Sequence, residues 1–297
     1  MSIVPPPGPF PTARQEAQLV AERPAASAQA AAPSYRLAFE DVDFLLRQDL
    51  RPVRLQLELL KPELLQQEHG IMSTVSVFGS ARIAEPDRAQ EELEAAELAA
   101  RNSPSDRVVA RRLAVARRML ANSRYYEEAR RFAQIVSNTC VGEHVCDFVV
   151  KTGGGPGIME AANRGADDVG GKSIGLNIVL PMEQDPNPYI TPELCFRFHY
   201  FAIRKMHFLT RSKALVVFPG GFGTLDELFE AATLIQTGKI EPIPILLFGR
   251  EYWERVVNLD AMAGEGMIGP DDKDIFTFVE TAEEAWAYIA DFYRLPR

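Results

Sequence analysis

The run Ala214-Leu215-Val216-Val217-Phe218 is apolar at every position and gives way at once to Pro219-Gly220-Gly221-Phe222-Gly223. A strand with one wet face alternates apolar and polar residues. An unbroken apolar run is buried on both faces, as in a parallel sheet covered by helices. Residues 224–237 then read as helix. The same order of strand, glycine loop and helix occurs upstream: a strand over 148–151, Gly153-Gly154-Gly155-Pro156-Gly157, and a helix over 158–169. Further strands are predicted over 74–78, 173–178, 193–199 and 243–248, and helices over 201–212, 250–260 and 281–293. Strands alternating with helices predict an α/β fold: a Rossmann-like, doubly wound parallel sheet with extra N-terminal helices. Ligands of such sheets sit at the carboxyl ends of the strands, where both glycine loops lie.

The remaining chain is organised around that region. Residues 1–35 hold seven prolines and nine alanines. They read as a disordered Pro/Ala-rich tail, because few large apolar residues are present to offset the entropy of ordering. Residues 36–297 read as a single domain with a helical extension over 36–70 and a helical insertion at about 85–138. Ser103-Pro104-Ser105-Asp106 divides the insertion into two helices, with Asp106 placed to cap the second. Arg107, Arg111, Arg112, Arg117, Arg118, Arg124, Arg130 and Arg131 fall on that second helix. They read as a solvated or subunit-facing surface with Glu127 and Glu128 as counter-charges.

Composition excludes several function classes. The 297 residues carry a net charge of −9, so no nucleic-acid partner is expected of a chain that would have to neutralise phosphates. No stretch of ~18 apolar residues occurs, so no membrane span is expected. Three cysteines, Cys140, Cys146 and Cys195, suit a reducing compartment. The start of the chain lacks the basic and apolar regions of a signal peptide, and a cytoplasmic location is the expectation. His144 and Cys146 stand close together, but nothing nearby completes a tetrahedral set, so neither metal nor cofactor is expected.

A glycine turn between strand and helix aims several backbone N–H groups one way, and the helix dipole adds positive charge there: an anion site, most often for phosphate. Neither loop fits the usual fingerprints. The dinucleotide pattern G-x-G-x-x-G fails because Ile158 stands in its last place, and Gly171-Lys172-Ser173 precedes a strand instead of following one. A mononucleotide is the better match. Thr224 and Glu227 have the spacing of a capping box, which would make Glu227 a purely structural acceptor. Arg204 and Lys205 read either as a solvated helix face or, near an anion loop, as a bidentate donor and a point charge for phosphate.

Taken together these residues resemble the LOG family, long labelled lysine decarboxylases. Its P-G-G-x-G-T-x-x-E motif is matched by 219–227, its upstream Arg-Lys pair by Arg204-Lys205, its triple-glycine loop by 153–160, and its first strand by Val77-Phe78-Gly79-Ser80. Phe201-Ala202-Ile203 before the Arg-Lys pair is similar to the larger bacterial members. The resemblance implies a phosphoribohydrolase that splits the N-glycosidic bond of a purine nucleoside 5′-monophosphate, a cytokinin nucleotide or AMP, into free base and ribose 5-phosphate. It implies Arg204 and Glu227 as the catalytic pair, with Arg204 on either the phosphate or the leaving base. Gly220, Gly221, Gly223 and Thr224 would bind the phosphate, with charge added by Lys205. Gly79, Ser80, Gly153, Gly154, Gly155, Gly157 and Met159 would wall the ribose and base. Thr233 either reaches the pocket edge or simply packs its helix. The alternative is a non-catalytic nucleotide or molybdenum-cofactor binding protein on the same fold. A homo-oligomer is expected, joined through helices of 36–70 and 107–135.

Overall fold

A computed structural model of the chain describes residues 9–139, 147–181 and 185–295. Cys140, His144 and Cys146 lie outside the described residues, and with them the considered metal pair. The chain divides into two compact units, Met1–Glu63 and Leu64–Arg297.

The first unit carries α1 (Ala13–Ala21), α2 (Ala28–Ala31), α3 (Val42–Leu45) and most of α4 (Arg51–Glu68). Helices therefore stand within the stretch for which composition predicts a tail. Local caps make them: Thr12 and Gln15 form a reciprocal capping box at α1, and the Ser27 hydroxyl accepts from the Ala30 N–H at α2. Neither helix buries a residue.

The second unit is built on a seven-stranded sheet, all of whose pairings are parallel. The strands are β1 (Thr74–Phe78), β2 (Val149–Thr152), β3 (Ser173–Ile178), β4 (Cys195–Phe198), β5 (Ser212–Val217), β6 (Ile245–Phe248) and β7 (Phe276–Val279). Their order is β4-β3-β2-β1-β5-β6-β7. The chain winds one way from β1 through β4, then crosses back to lay β5 on the other side of β1. That reversal opens a crevice at the carboxyl ends of β1 and β5. β7 is absent from the sequence reading. Its Phe-Thr-Phe-Val is short and mostly half-buried at the sheet edge, so it lacks the continuous apolar signal of β5 and β6.

The intervening helices are α5 (Pro86–Asn102), α6 (Arg107–Asn122), α7 (Arg124–Ser137), α8 (Ile158–Asp167), α9 (Phe201–Leu209), α10 (Phe222–Gln236), α11 (Arg250–Val256), α12 (Leu259–Gly264) and α13 (Ala282–Phe292). Two cores form, one on each sheet face, because neighbouring strand residues point to opposite sides. Ala214 and Val216 of β5 join Val75, Val77, Leu246 and Phe248 beneath residues of α7, α8 and α13. Leu215 and Val217 join Leu176, Ile245, Leu247, Phe208, Leu228 and Trp253 on the opposite face. The unbroken apolar run of β5 is thereby explained residue by residue.

The Arg-rich stretch is two helices, not one. The chain turns at Ser123, whose hydroxyl donates to the Leu120 carbonyl. Asp106 caps α6 as its position predicts, accepting from the Val108 and Val109 N–H groups. On α7 the arginines pair with elements other than their own: Arg130 with Asp168, Arg131 with Glu283, and Arg124 with Glu280. Glu128 feels the charge of Arg124 and Glu127 that of Arg130, as expected of counter-charges, and Glu128 also accepts from the Ala282 N–H at the start of α13.

The two loops that follow β1 and β2 interlock. The Ile158 N–H donates to the Ser80 carbonyl at 3.2 Å. Gly157 has φ +71°, and a Cβ there would stand 2.5 Å from the Ser80 oxygen. Gly157→Ala therefore combines left-handed strain with a backbone collision. We expect it to lower the unfolding free energy by roughly 2 kcal/mol or more, read as a reduced urea midpoint at unchanged slope. An unchanged midpoint would contradict this account of the loop.

Candidate active site

The start of α10 follows from its sequence. The strand β5 ends at Val217, Pro219 cannot extend it as a donor, and two glycines turn the chain into the helix. Gly221 is the N-cap, without any side-chain cap. Thr224 is thus the third helical residue and not the cap, and the capping-box reading of Thr224 and Glu227 does not hold. Freed from that duty, Glu227 lies one turn into the helix, on the same side as Thr224. The first amides of α10 have no acceptor within the helix.

The carbonyls around this turn are all occupied. The Ser80 N–H donates to the Pro219 oxygen at 3.0 Å, and the Leu225 N–H donates to the Gly221 oxygen at 3.0 Å. Between them, the Tyr252 hydroxyl donates to the Gly220 oxygen at 2.5 Å.

A cavity of about 310 Å³ opens beside this turn, at the crevice of β1 and β5. It is lined by Gly79, Ser80, Gly153, Met159, Arg204, Gly221, Gly223, Thr224 and Glu227, all anticipated from sequence. A Cβ added at Gly221 or Gly223 would meet nothing within 4 Å, so the backbone there is open to a ligand.

Arg204 is held rigidly. Its Nε donates to the Leu176 carbonyl at 2.7 Å, and its guanidinium lies over the Phe208 ring, 4.9 Å from the centroid. Burial lowers its pKa, partly offset by the charge of Glu227. Glu227 is only 8% exposed. Burial pushes its pKa up to about 7, against the opposing pull of Lys205 and Arg204. The cavity thus holds a carboxyl group poised near neutrality and a fixed guanidinium.

Other anticipated residues lie elsewhere. Lys205 is not at the cavity; its ammonium pairs with Asp226 at 3.0 Å and Glu230 at 2.9 Å. Consecutive helical residues diverge by about 100°, so Arg204 lines the cavity while Lys205 turns to α10 and reaches Glu227 only through its charge. Thr233 also faces away, donating to the Phe229 carbonyl at 2.7 Å. Gly154, Gly155 and Gly157 shape the cavity without lining it. The Thr152 hydroxyl accepts from the Gly154 N–H, and Asn187 binds the Gly154 and Gly155 carbonyls. Gly220 packs against the Thr224 side chain.

The sequence reading missed Phe78, Ala81, Arg82, Phe201, Phe208 and Asp226 as lining residues. Arg82 follows the Gly79-Ser80 turn by two residues, and its N–H donates to the Ser80 hydroxyl; proximity to that turn was the available signal. Among the described residues, no group of three or more His, Cys, Asp or Glu side chains is arranged to hold a metal. No described helix is long and apolar enough to cross a membrane.

The family described as possible lysine decarboxylase matches residues 159–289. A cytokinin riboside 5′-monophosphate phosphoribohydrolase of Arabidopsis thaliana is 29% identical over 139 residues, 46% of this chain and 63% of that protein. A probable cytokinin riboside 5′-monophosphate phosphoribohydrolase of Oryza sativa subsp. japonica is 34% identical over 82 residues, 27% of this chain and 39% of that protein. The chain thus spans less than two thirds of these curated relatives. Among solved structures, a molybdenum cofactor binding protein from Rippkaea orientalis is similar at 17% identity and TM-score 0.42, covering 57% of this chain and 88% of that one. A Moco carrier protein from Chlamydomonas reinhardtii is similar at 17% identity and TM-score 0.41, covering 75% and 98%.

The raised pKa of Glu227 has a thermodynamic consequence. Below about pH 4.5 the group is protonated in both folded and unfolded chains. Between pH 4.5 and 7 the folded chain keeps a proton that the unfolded chain has lost, so stability falls as pH rises. Glu227→Gln removes that cost. We expect the variant to be more stable than the parent by roughly 1–3 kcal/mol at pH 8 and equal to it at pH 4, by denaturant unfolding. A variant less stable at pH 8 would show that Glu227 is a structural acceptor instead.

Proposed function

We propose that this chain, which belongs to the LOG family, is a nucleoside 5′-monophosphate phosphoribohydrolase acting on a purine nucleotide, a cytokinin nucleotide or AMP. The observation that carries the reading is the placement of a buried, near-neutral Glu227 one helical turn beyond the free amides of α10, with Arg204 in the same cavity.

The 5′-phosphate sits at the start of α10, on the amides of Gly221, Phe222, Gly223 and Thr224 and on the Thr224 hydroxyl. Dipole and unpaired donors both favour a dianion there. One turn of helix, about 5 Å, separates that site from Glu227, a distance on the scale of a ribose. The sugar and base extend toward Gly79, Ser80, Gly153 and Met159, where Phe78, Phe201 and Phe208 offer apolar surface.

As the bond from C1′ to the base nitrogen lengthens, positive charge grows on the ribose. The Glu227 carboxylate stabilises that charge and takes a proton from the water whose oxygen bonds to C1′. The bonding electron pair leaves with the base nitrogen, which is protonated in turn, so one water is consumed and free base and ribose 5-phosphate are formed. Arg204 supplies the fixed cationic donor, for the phosphate or for the departing base. Lys205 acts from outside the cavity, its charge favouring the Glu227 carboxylate against the repulsion of Glu230 and Asp226.

Incubation with AMP and with isopentenyladenosine monophosphate tests the reading and ranks the two substrates. Adenine or isopentenyladenine should appear in step with ribose 5-phosphate. Glu227→Ala and Arg204→Ala should each lower kcat/KM by about 100-fold or more. Tight nucleotide binding without release of base would overturn the proposal and favour a carrier or sensor.

A further inference from the structure

We propose that Tyr252, on α11 and outside the cavity, is a positioning residue that sets the phosphate site by fixing the peptide between Gly220 and Gly221. The inference rests on the placement of the phosphate at α10 and adds the device that keeps the site open to an anion.

All described peptides are trans, and across a trans peptide the N–H points opposite to the C=O. The orientation of one group therefore fixes the other. Three successive carbonyls at this turn are anchored: Pro219 by the Ser80 N–H, Gly220 by the Tyr252 hydroxyl, and Gly221 by the Leu225 N–H. Gly221 lines the cavity and Tyr252 does not, so the Gly220 oxygen is drawn away from the cavity and the Gly221 N–H is turned toward it.

A glycine pair is the place where such an anchor matters. Gly220 and Gly221 carry no Cβ to bias the backbone, and both senses of φ are open to glycine. Nothing within 4 Å would meet a Cβ at Gly221, so packing does not hold that side of the peptide. Released from Tyr252, the peptide has only the packing of Gly220 on the Thr224 side chain to resist rotation. Once rotated, it would present a carbonyl oxygen where the phosphate requires a donor, replacing an attraction by a repulsion. Two of the three anchors are backbone groups. Tyr252 supplies the one side-chain anchor, so a single hydroxyl governs the geometry.

Tyr252 is itself well fixed. It follows Gly249, the left-handed N-cap of α11, and its neighbour Trp253 is buried and donates to the Phe248 carbonyl at 2.9 Å. The end of β6 and the start of α11 thereby reach across to the loop after β5.

The test is Tyr252→Phe in the full chain, which removes the hydroxyl and keeps the ring. Binding of ribose 5-phosphate and of AMP, measured by calorimetry, should weaken about tenfold, the worth of one hydrogen bond. Adenosine, which lacks the phosphate, should bind the variant and the parent equally. For AMP turnover, KM should rise while kcat changes by less than about twofold. Equal affinities for ribose 5-phosphate in parent and variant would overturn the inference, as would a parallel loss for adenosine, which marks a general structural defect. A second measurement needs no variant: inorganic phosphate titrated into the labelled parent should shift the Gly221 amide resonance, and an unmoved resonance would contradict the proposal. These binding readouts stand apart from hydrolysis. A parent that binds phosphate through Tyr252 but releases no base would sink the enzyme reading and leave this one intact.

Discussion

The functional half of this molecule depends on the unpaired amides at the start of α10. A helix must leave its first N–H groups without internal partners, and a side-chain cap is one way to cover them. This one has none: Gly221 stands at the N-cap, and Thr224 and Glu227, which have the spacing to form a box, lie inside the helix instead. Everything nearby follows from leaving that end open. The strand β5 delivers it to the crevice where the winding reverses, the glycines strip it of side chains, and neighbouring donors draw its carbonyls aside. Interlocking of the loops after β1 and β2 then supplies the opposite wall.

The electrostatics of the cavity repeat this pattern of unmet demand. A carboxyl group buried beside the open end is costly to ionise, and neither Arg204 nor Lys205 fully relieves it. Arg204 is committed to the Leu176 carbonyl and the Phe208 ring, and Lys205 to Asp226 and Glu230. A phosphorylated sugar would satisfy the amides with its anion and the carboxylate with its developing positive charge. On the proposed reading the site is complementary to a reacting nucleotide, which is where binding energy can act on the barrier.

Much of this was legible in the sequence, for reasons tied to particular residues. The apolar run of β5 announced burial on both faces, and the glycines after it announced a turn open to a ligand. Arg204 and Glu227 came together on a recognisable motif; spacing alone left Glu227 as a cap. Two residues show how adjacency in sequence differs from proximity. Lys205 follows Arg204 in sequence, but helical rotation turns it to α10. Thr233 lies six residues past Glu227, which places it about 120° round the helix, and its hydroxyl closes on its own backbone. Phe78 and Arg82 flank Gly79-Ser80, and Phe201 and Phe208 share α9 with Arg204, but which of these neighbours face the crevice is set by the fold. Tyr252 was illegible for the same reason: its role exists only through a contact 32 residues away.

The central claim is that α10 reads a phosphate and that Glu227 acts on the sugar attached to it. The most direct measurement compares AMP with adenosine as substrates for the parent chain. The account predicts that kcat/KM for AMP exceeds that for adenosine by about 100-fold or more, because several charge-assisted bonds to the phosphate are lost together. Hydrolysis of adenosine at a rate matching that of AMP would contradict it.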